Sequence, residues 1–464
     1  MTGQPEHFDA VIVGSGFGGA VTAARLAEAG WRVCVLERGK AYPPNSFPRS
    51  PLDMKHNFWD PADGRHGMFD LWEFDGIDAV CASGLGGGSL IYANVLLRKD
   101  EHWFVNEDLA HGGYENWAVT REDLDPHYDE VERRIGIQEY PLGRSPYDQT
   151  PKVLAYRQAA ENLGLDWSLV PLAVTFAGPG TAPVPGEPIA ERPNLHGRSR
   201  LTCRLCGECD VGCNSGSKNT LDFTYLSDAW RAGAELRTRC EVRTFKPLDG
   251  GGYRVDYRIH SPQTEGTPTD TSALELHTVT CSHLVLSAGT MGTNWLLWRN
   301  RAELPGLSDQ LGHGFSGNGD LLTFAVRAKR AAADGSQRPW VMASGYGPVI
   351  TSRIRVPDAA DVYPAKGSVV SARRLTVTFL LSTPLAPDGI GENAILALGS
   401  NSGEIAGTVS YLERDGLLRF SPSRDFASGE TVTVTLDLAK LRGPGGRSGA
   451  GKISTSFLVP VARE

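Results

Sequence analysis

A strand, a glycine turn, a helix, a second strand and an acid follow one another within the first forty residues, and few folds accept that order. Phe8–Val13 is a short apolar run, and Gly14-Ser15-Gly16-Phe17-Gly18-Gly19 follows it. Ala20–Ala29 is rich in helix formers, Arg32–Leu36 is a second apolar run, and Glu37 closes it. Each part has a physical task. Gly14 permits the tight turn, Gly16 lets a pyrophosphate approach the backbone, and Gly19 lets the helix pack on the strand. The helix N-terminus offers free N–H groups and a positive dipole end to phosphates. Glu37 lies 23 residues after Gly14, close to the spacing of about 20 expected of an acid that binds ribose hydroxyls. A glycine-rich turn of another α/β protein is the plainer alternative, but the full context points to a dinucleotide site.

Composition narrows the rest. A chain of 464 residues exceeds what one hydrophobic core organises, so two or three domains are expected. The net charge is −8 with no long basic run, which argues against nucleic acid or an anionic membrane as the main partner. There is no apolar run of membrane-spanning length and no signal-peptide pattern at Met1–Asp9, so a cytoplasmic location is expected.

Lys40–Ala79 reads as a loop-rich stretch. A second glycine patch, Gly84-Leu85-Gly86-Gly87-Gly88-Ser89, precedes the apolar run Leu90–Leu97. Trp117–Ile135 reads as a helix with Thr120 placed to cap it. Pro179–Pro193 carries five prolines and reads as a linker. Arg237–Phe245 and Tyr253–Ile259 flank Gly250-Gly251-Gly252 as hairpin strands. His283–Ser287 is a buried-strand candidate, followed by Ala288-Gly289 and a helix over Asn294–Arg301. Near residue 362 the texture changes. Leu375, Val377 and Phe379 alternate with polar residues, as do Val432, Val434 and Leu436, between turn signals such as Asp415-Gly416 and Ser428-Gly429. That pattern predicts an all-β sandwich over 363–464.

Four of the eight cysteines crowd into eleven residues as Cys203, Cys206, Cys209 and Cys213. The spacing C-x2-C-x2-C-x3-C is that of a bacterial iron–sulfur run. Asn214, rather than proline, follows the last cysteine, and Cys240 or Cys281 is an alternative fourth ligand. Zinc and metal-free thiols are the competing readings.

The segments VIVGSGFGGAVTAARLAEAGWRVCVLERG, GLGGGSLIYANVLL, NWAVTREDLDPHYDEVE, HLVLSAGTMGTNWLL and GNGD resemble, in this order, the glucose–methanol–choline (GMC) flavin oxidoreductases, cholesterol-oxidase-like branch, over about residues 8–358. The resemblance implies an α/β, FAD-binding Rossmann-like domain over 1–362 with an interleaved β-rich substrate region. It implies FAD held by Gly14, Gly16, Gly19 and Glu37 and wrapped by Gly84, Gly86, Gly87, Gly88 and Ser89. Asn94 is implied near the isoalloxazine ring, a Val242 backbone amide at the adenine, Ala288 and Gly289 over the dinucleotide, and Asn318 and Asp320 near the FAD. NAD is disfavoured, because nicotinamide folds do not need the second glycine patch. The implied reaction is hydride transfer from an apolar, sterol-like alcohol to flavin, with O2 or a redox protein as electron acceptor. The spacing of the cysteines is known from parts of the same family, and an iron–sulfur cluster would favour a dehydrogenase. The last hundred residues resemble bacterial immunoglobulin-like domains of surface-layer proteins through LTVTFLLSTPL, GTVSYLERDGLLRFSPSRDFASGETVTVTL and ISTSF, which implies a C-terminal all-β Ig-like sandwich without chemistry of its own.

The family keeps its catalytic histidine in a C-terminal segment, and here the last of eleven histidines is His313. No catalytic residue is assigned on this basis. Three accounts are open: a catalytic segment encoded downstream, a partner chain that completes the site, or a flavin-binding protein without the activity. His313 as a substitute base is outweighed by a structural role, and His102, His111 and His127 read as surface or lid residues.

Overall fold

The computed structural model describes residues 4–99, 104–108, 113–317, 327, 329–332, 334–339, 347–355, 362–363, 375–381, 384–412, 416–444, 446 and 448–459. The chain divides into two compact units, one of residues 1–96, 132–163 and 167–353, the other of residues 97–131, 164–166 and 354–464.

The first unit is built on a six-stranded sheet in the order Glu235–Arg237, β2 (Val33–Leu36), β1 (Glu6–Val13), Leu276–Leu286, Tyr253–Ile259, Cys240–Pro247. The first four strands are parallel and the last two pair antiparallel. The crossover between β1 and β2 is α1 (Phe17–Glu28), which buries Gly19, Ala20, Ala23, Ala24 and Ala27. These residues recur at helical spacing and are all small, so the helix lies close against its neighbours. Its start at Phe17 takes Gly18 and Gly19 into the first turn. A Cβ on Gly19 would stand 2.0 Å from the Gly14 carbonyl oxygen, so only glycine allows this approach. β2 is buried throughout and β1 from Ala10 to Val13, as strands covered on both faces must be. The helix Tyr225–Arg231 packs on α1, and the helix Gly289–Arg299 follows the strand Leu276–Leu286.

Two hairpins form in the stretch expected to be loop, the shorter pairing Trp59–Asp60 with Arg65–His66. Phe69–Phe74 pairs with Ile77–Ala82, turning at Asp75-Gly76, where Gly76 has φ +83°. Asp-Gly is a strong hairpin signal, but the polar and aromatic flanks obscured it. The helix over Trp117–Ile135 is shorter than expected, running over Arg121–Ile135 (α2). Thr120 and Asp123 exchange bonds across its first turn, the side chain of each accepting from the other's backbone N–H.

In the second unit, two antiparallel sheets share one apolar core. One has the order Val362–Tyr363, Val377–Leu380, Leu417–Pro422, Gly407–Leu412, and the other Gly403–Glu404, Ile395–Gly399, Thr431–Asp437, Lys452–Leu458. Val377, Phe379, Leu418 and Phe420 from the first meet Val432, Val434, Leu436 and Phe457 from the second. The alternating buried pattern along Leu417–Pro422 and Thr431–Asp437 is the period of two that places every second side chain inside. No helix among the described residues is long and apolar enough to cross a membrane.

Candidate functional site

The parallel strands present their carboxyl ends together, with Val13 opposite both Leu36 and Leu286, and Leu36 opposite Arg237. A cleft of about 570 Å³ opens there, lined by Gly14, Gly16, Glu37, Gly87, Gly88, Val242, Ala288 and Gly289 among others. Ligands of open α/β sheets bind at such carboxyl ends, and the volume falls within the range of cofactor pockets.

Three features show that these residues fit a dinucleotide. Gly16 caps α1 without any side-chain bond, and no acid stands in the first turn, so the helix presents free N–H groups to the cleft. A Cβ added to Gly16 would meet nothing nearer than the Gly87 Cα at 4.0 Å, whereas one on Gly87 (φ +53°) would stand 2.5 Å from the Gly16 Cα. The two glycine loops therefore meet backbone to backbone and leave room at the phosphate position. The buried Glu37 carboxylate lies at the end of β2, where it accepts from Ser15 N (3.0 Å), Ser15 Oγ (2.7 Å) and Gly39 N (2.8 Å). Each carboxylate oxygen has two acceptor sites, so these bonds orient Glu37 and still leave acceptor capacity for a hydroxyl.

Several wall residues carry no sequence signal. Arg38 Nη2 reaches Asp70 Oδ2 at 2.5 Å, and Trp72 Nε1 donates to the same oxygen at 2.6 Å, which ties the hairpin to the end of β2. Trp72, Val80, Cys81 and Ala82 of that hairpin line the cleft together with Arg243, Trp295 and Arg299. Glu241 also lines it; burial alone would raise its pKa, but the 2.7 Å bond with His260 Nε2 and the nearby Arg243 hold it below the usual glutamate range. Such residues are found only through long-range pairing, here between hairpin and sheet.

Other expected residues stand behind the wall. Gly84 is enclosed by Tyr42 and Leu90. Gly86 (φ +113°) accepts from Ser89 Oγ at 2.7 Å, and Ser89 Oγ in turn accepts from Leu221 N at 3.0 Å. These bonds shape the loop. Asn94 is fully buried with φ +68°, and its side-chain amide faces the Cys209 thiol rather than the cleft. Asn318 and Asp320 fall outside the described residues, as do His102 and His111. His127 and His313 are exposed. No histidine among the described residues lines the cleft.

Cys203, Cys206, Cys209 and Cys213 line one narrow cavity, yet no group of three or more His, Cys, Asp or Glu among the described residues is arranged to hold a metal ion. Cys203 and Cys209 are buried, Cys213 is half-buried and Cys206 is exposed, so the four differ in exposure although they border the same cavity. In the metal-free chain burial pushes the Cys203, Cys206 and Cys209 thiols up. All eight cysteines are free. Lys218 stands beside this cavity, and burial pushes its ammonium down to about 8.

Fold and cleft together define a dinucleotide-binding α/β protein. Residues 12–42 match the model of the NAD(P)-binding Rossmann-like domain. The chain is 34% identical over 310 residues to a cholesterol oxidase of Mycobacterium tuberculosis, covering 66% of this chain and 50% of that one. It is 31% identical over 317 residues to a cholesterol oxidase of Acinetobacter baumannii, covering 68% and 54%. It is 25% identical over 315 residues to a 2-methyl-1,2-propanediol dehydrogenase of Mycolicibacterium austroafricanum, covering 64% and 51%. The matched region is that of a GMC-type FAD oxidoreductase related to cholesterol oxidase, with a Rossmann-like FAD-binding α/β fold. The chain spans about half the length of the curated relatives it matches.

Proposed function

We propose that the chain is an FAD-dependent oxidoreductase acting on CH–OH donors, with an apolar, sterol-like alcohol as substrate. Bound FAD supplies the hydride acceptor. The chain's own residues bind and orient it: α1 and the glycine loops hold the pyrophosphate, Glu37 the ribose, and Val242 the adenine end. The observation that carries this reading is the backbone contact of Gly87 with Gly16 in the cleft, because it adds a second glycine loop to the dinucleotide turn. An aromatic and aliphatic rim of Trp72, Val80 and Trp295 suits an apolar donor. The electron acceptor is O2 or a redox protein, and relatives of both oxidase and dehydrogenase name share the region.

A second reading is favoured by one observation, the lack of any histidine on the cleft among the described residues. Alcohol oxidation needs a proton acceptor near neutral pKa. In this reading the chain holds FAD without turning over alcohols, or does so only with a partner chain that brings the base, and the sandwich is an Ig-like interaction module. Absorbance of the anaerobically purified chain, before and after adding a sterol alcohol, separates the two. Flavin bands that bleach support the oxidoreductase. Bands that persist favour the second reading, and a chain with no flavin bands even after incubation with FAD overturns both.

A further inference from the structure

Lys218 is 1% exposed, and its ammonium is held almost entirely by peptide oxygens. Nζ donates to the carbonyls of Leu90 at 3.0 Å, Tyr92 at 2.6 Å and Cys209 at 3.0 Å, and it stands 4.8 Å from the Tyr92 ring centre. Three donors meet three acceptors, so its hydrogen-bonding capacity is filled. Its charge is not balanced in the same way. Asp210 and Asp222 are the nearest carboxylates to act on it, but Lys218 makes no ion pair among the described residues, and Asp222 is engaged by His196 at 2.6 Å. A buried cation costs several kcal/mol in general, so its retention calls for a use.

Its partners point to that use. Leu90 and Tyr92 flank Ile91, and Ile91 lines the dinucleotide cleft beside Gly87 and Gly88. Lys218 does not line that cleft; it borders the cysteine cavity behind it. The carbonyls on either side of Ile91 therefore point to Lys218, which is not part of the cleft lining. The wall loses two negative dipole ends, and a full positive charge stands one residue behind it. The bond to Cys209 O fastens the same ammonium to the cysteine loop.

We propose that Lys218 is a positioning residue of the flavin site: it turns the Leu90 and Tyr92 carbonyls away from the cleft and leaves a buried positive charge behind Ile91 that favours the reduced, more negative flavin. This rests on the reading of the cleft as an FAD site. Electrostatic tuning of a cofactor by a fixed protein charge is a recognised protein contribution. A purely structural staple would affect folding without affecting the flavin's electron affinity.

The test uses the full chain loaded with FAD and measures FAD affinity and the flavin midpoint potential in wild type, K218M, K218R and C213D. K218M is expected to bind FAD about tenfold or more weakly and to have a lower midpoint potential. K218R keeps the charge and is expected to retain most of the wild-type potential. C213D leaves Lys218 in place but introduces a carboxylate into the adjoining cavity, so it is expected to lower the potential without removing the staple; it carries the test if K218M does not fold. Wild-type potential in folded K218M, or in C213D, overturns the proposal while leaving the FAD reading intact. A wild-type chain that binds no FAD overturns the FAD reading and this proposal with it.

Discussion

The two units use their interiors differently. The sandwich buries Val377, Phe379, Leu418, Phe420, Val432, Val434, Leu436 and Phe457, with Glu430 and Thr455 as its buried polar residues. The dinucleotide unit buries Ser15, Glu37, His66, Asn94, Arg200, Lys218 and Asp222. Buried polar groups weaken a fold unless each finds a partner. A unit that holds so many has had its interior shaped by something besides stability, and Ser15, Glu37 and Asp222 adjoin the glycine loops. The sandwich shows what the same chain does when only packing matters. Its buried Glu430 makes the point, since the carboxylate serves to clip loops: it accepts from Asn401 N, Ser402 N, Ser402 Oγ and Ala427 N.

This contrast can be broken by substitution. Phe457→Ala, in the middle of the sandwich core, should cost about 3–5 kcal/mol in the sandwich's unfolding transition and leave FAD affinity unchanged, as read by denaturant melts and flavin titration. A fall in FAD affinity would show that the two units are not independent. Gly87→Ala should do the reverse. Its Cβ would collide with the Gly16 backbone, so FAD affinity should fall tenfold or more, about 1.4 kcal/mol, with the sandwich transition unmoved. Glu430→Gln should cost about 1–3 kcal/mol, confined to the sandwich.

Acid should separate the units as well. The backbone and Ser402 bonds hold the Glu430 carboxyl below the usual range against the opposing effect of burial. Its stabilisation is complete above its ordinary value of about 4.3 and is lost as pH falls through the lower folded value. His66 behaves as a base. Burial first, then the neighbouring His260 and Arg239, lower its pKa, opposed by Glu265. The unfolded chain therefore takes up the proton more readily, and the dinucleotide unit should lose stability as pH falls below the ordinary histidine value of about 6.5. Thermal melts across this range should show the dinucleotide unit responding first and the sandwich only near pH 4. This is the smallest of the expected effects, and His66→Phe should flatten the first response. A sandwich that weakens first would reverse the assignment.

Much of the dinucleotide turn was legible because its information is local. Gly14, Gly16, Gly19 and Glu37 lie on one short strand–helix–strand unit, and spacing alone brings them to one edge. The sandwich was legible for a similar reason, since alternation at Val432, Val434 and Leu436 is written residue by residue. The hairpin with Trp72 and Val80 was not, although its Asp-Gly turn is in plain view, because nothing local says that it borders the cleft. The cysteine spacing suggests a shared ligand set; the fold brings Cys203, Cys206, Cys209 and Cys213 to one narrow cavity but gives them unequal burial.

By itself, then, the sequence determined the elements: a dinucleotide turn followed by an acid, a second glycine loop, and a run of alternating strands. Backbone propensity and hydrophobic period act over a few residues and need no distant partner. The tertiary structure alone decided which of these elements meet. It set Gly87 against Gly16, placed Arg38, Trp72 and Arg243 at the cleft, turned Asn94 toward Cys209, and buried Lys218 behind Ile91. Those outcomes depend on desolvation and on contacts between residues far apart in the chain, and neither is encoded in the spacing of neighbours.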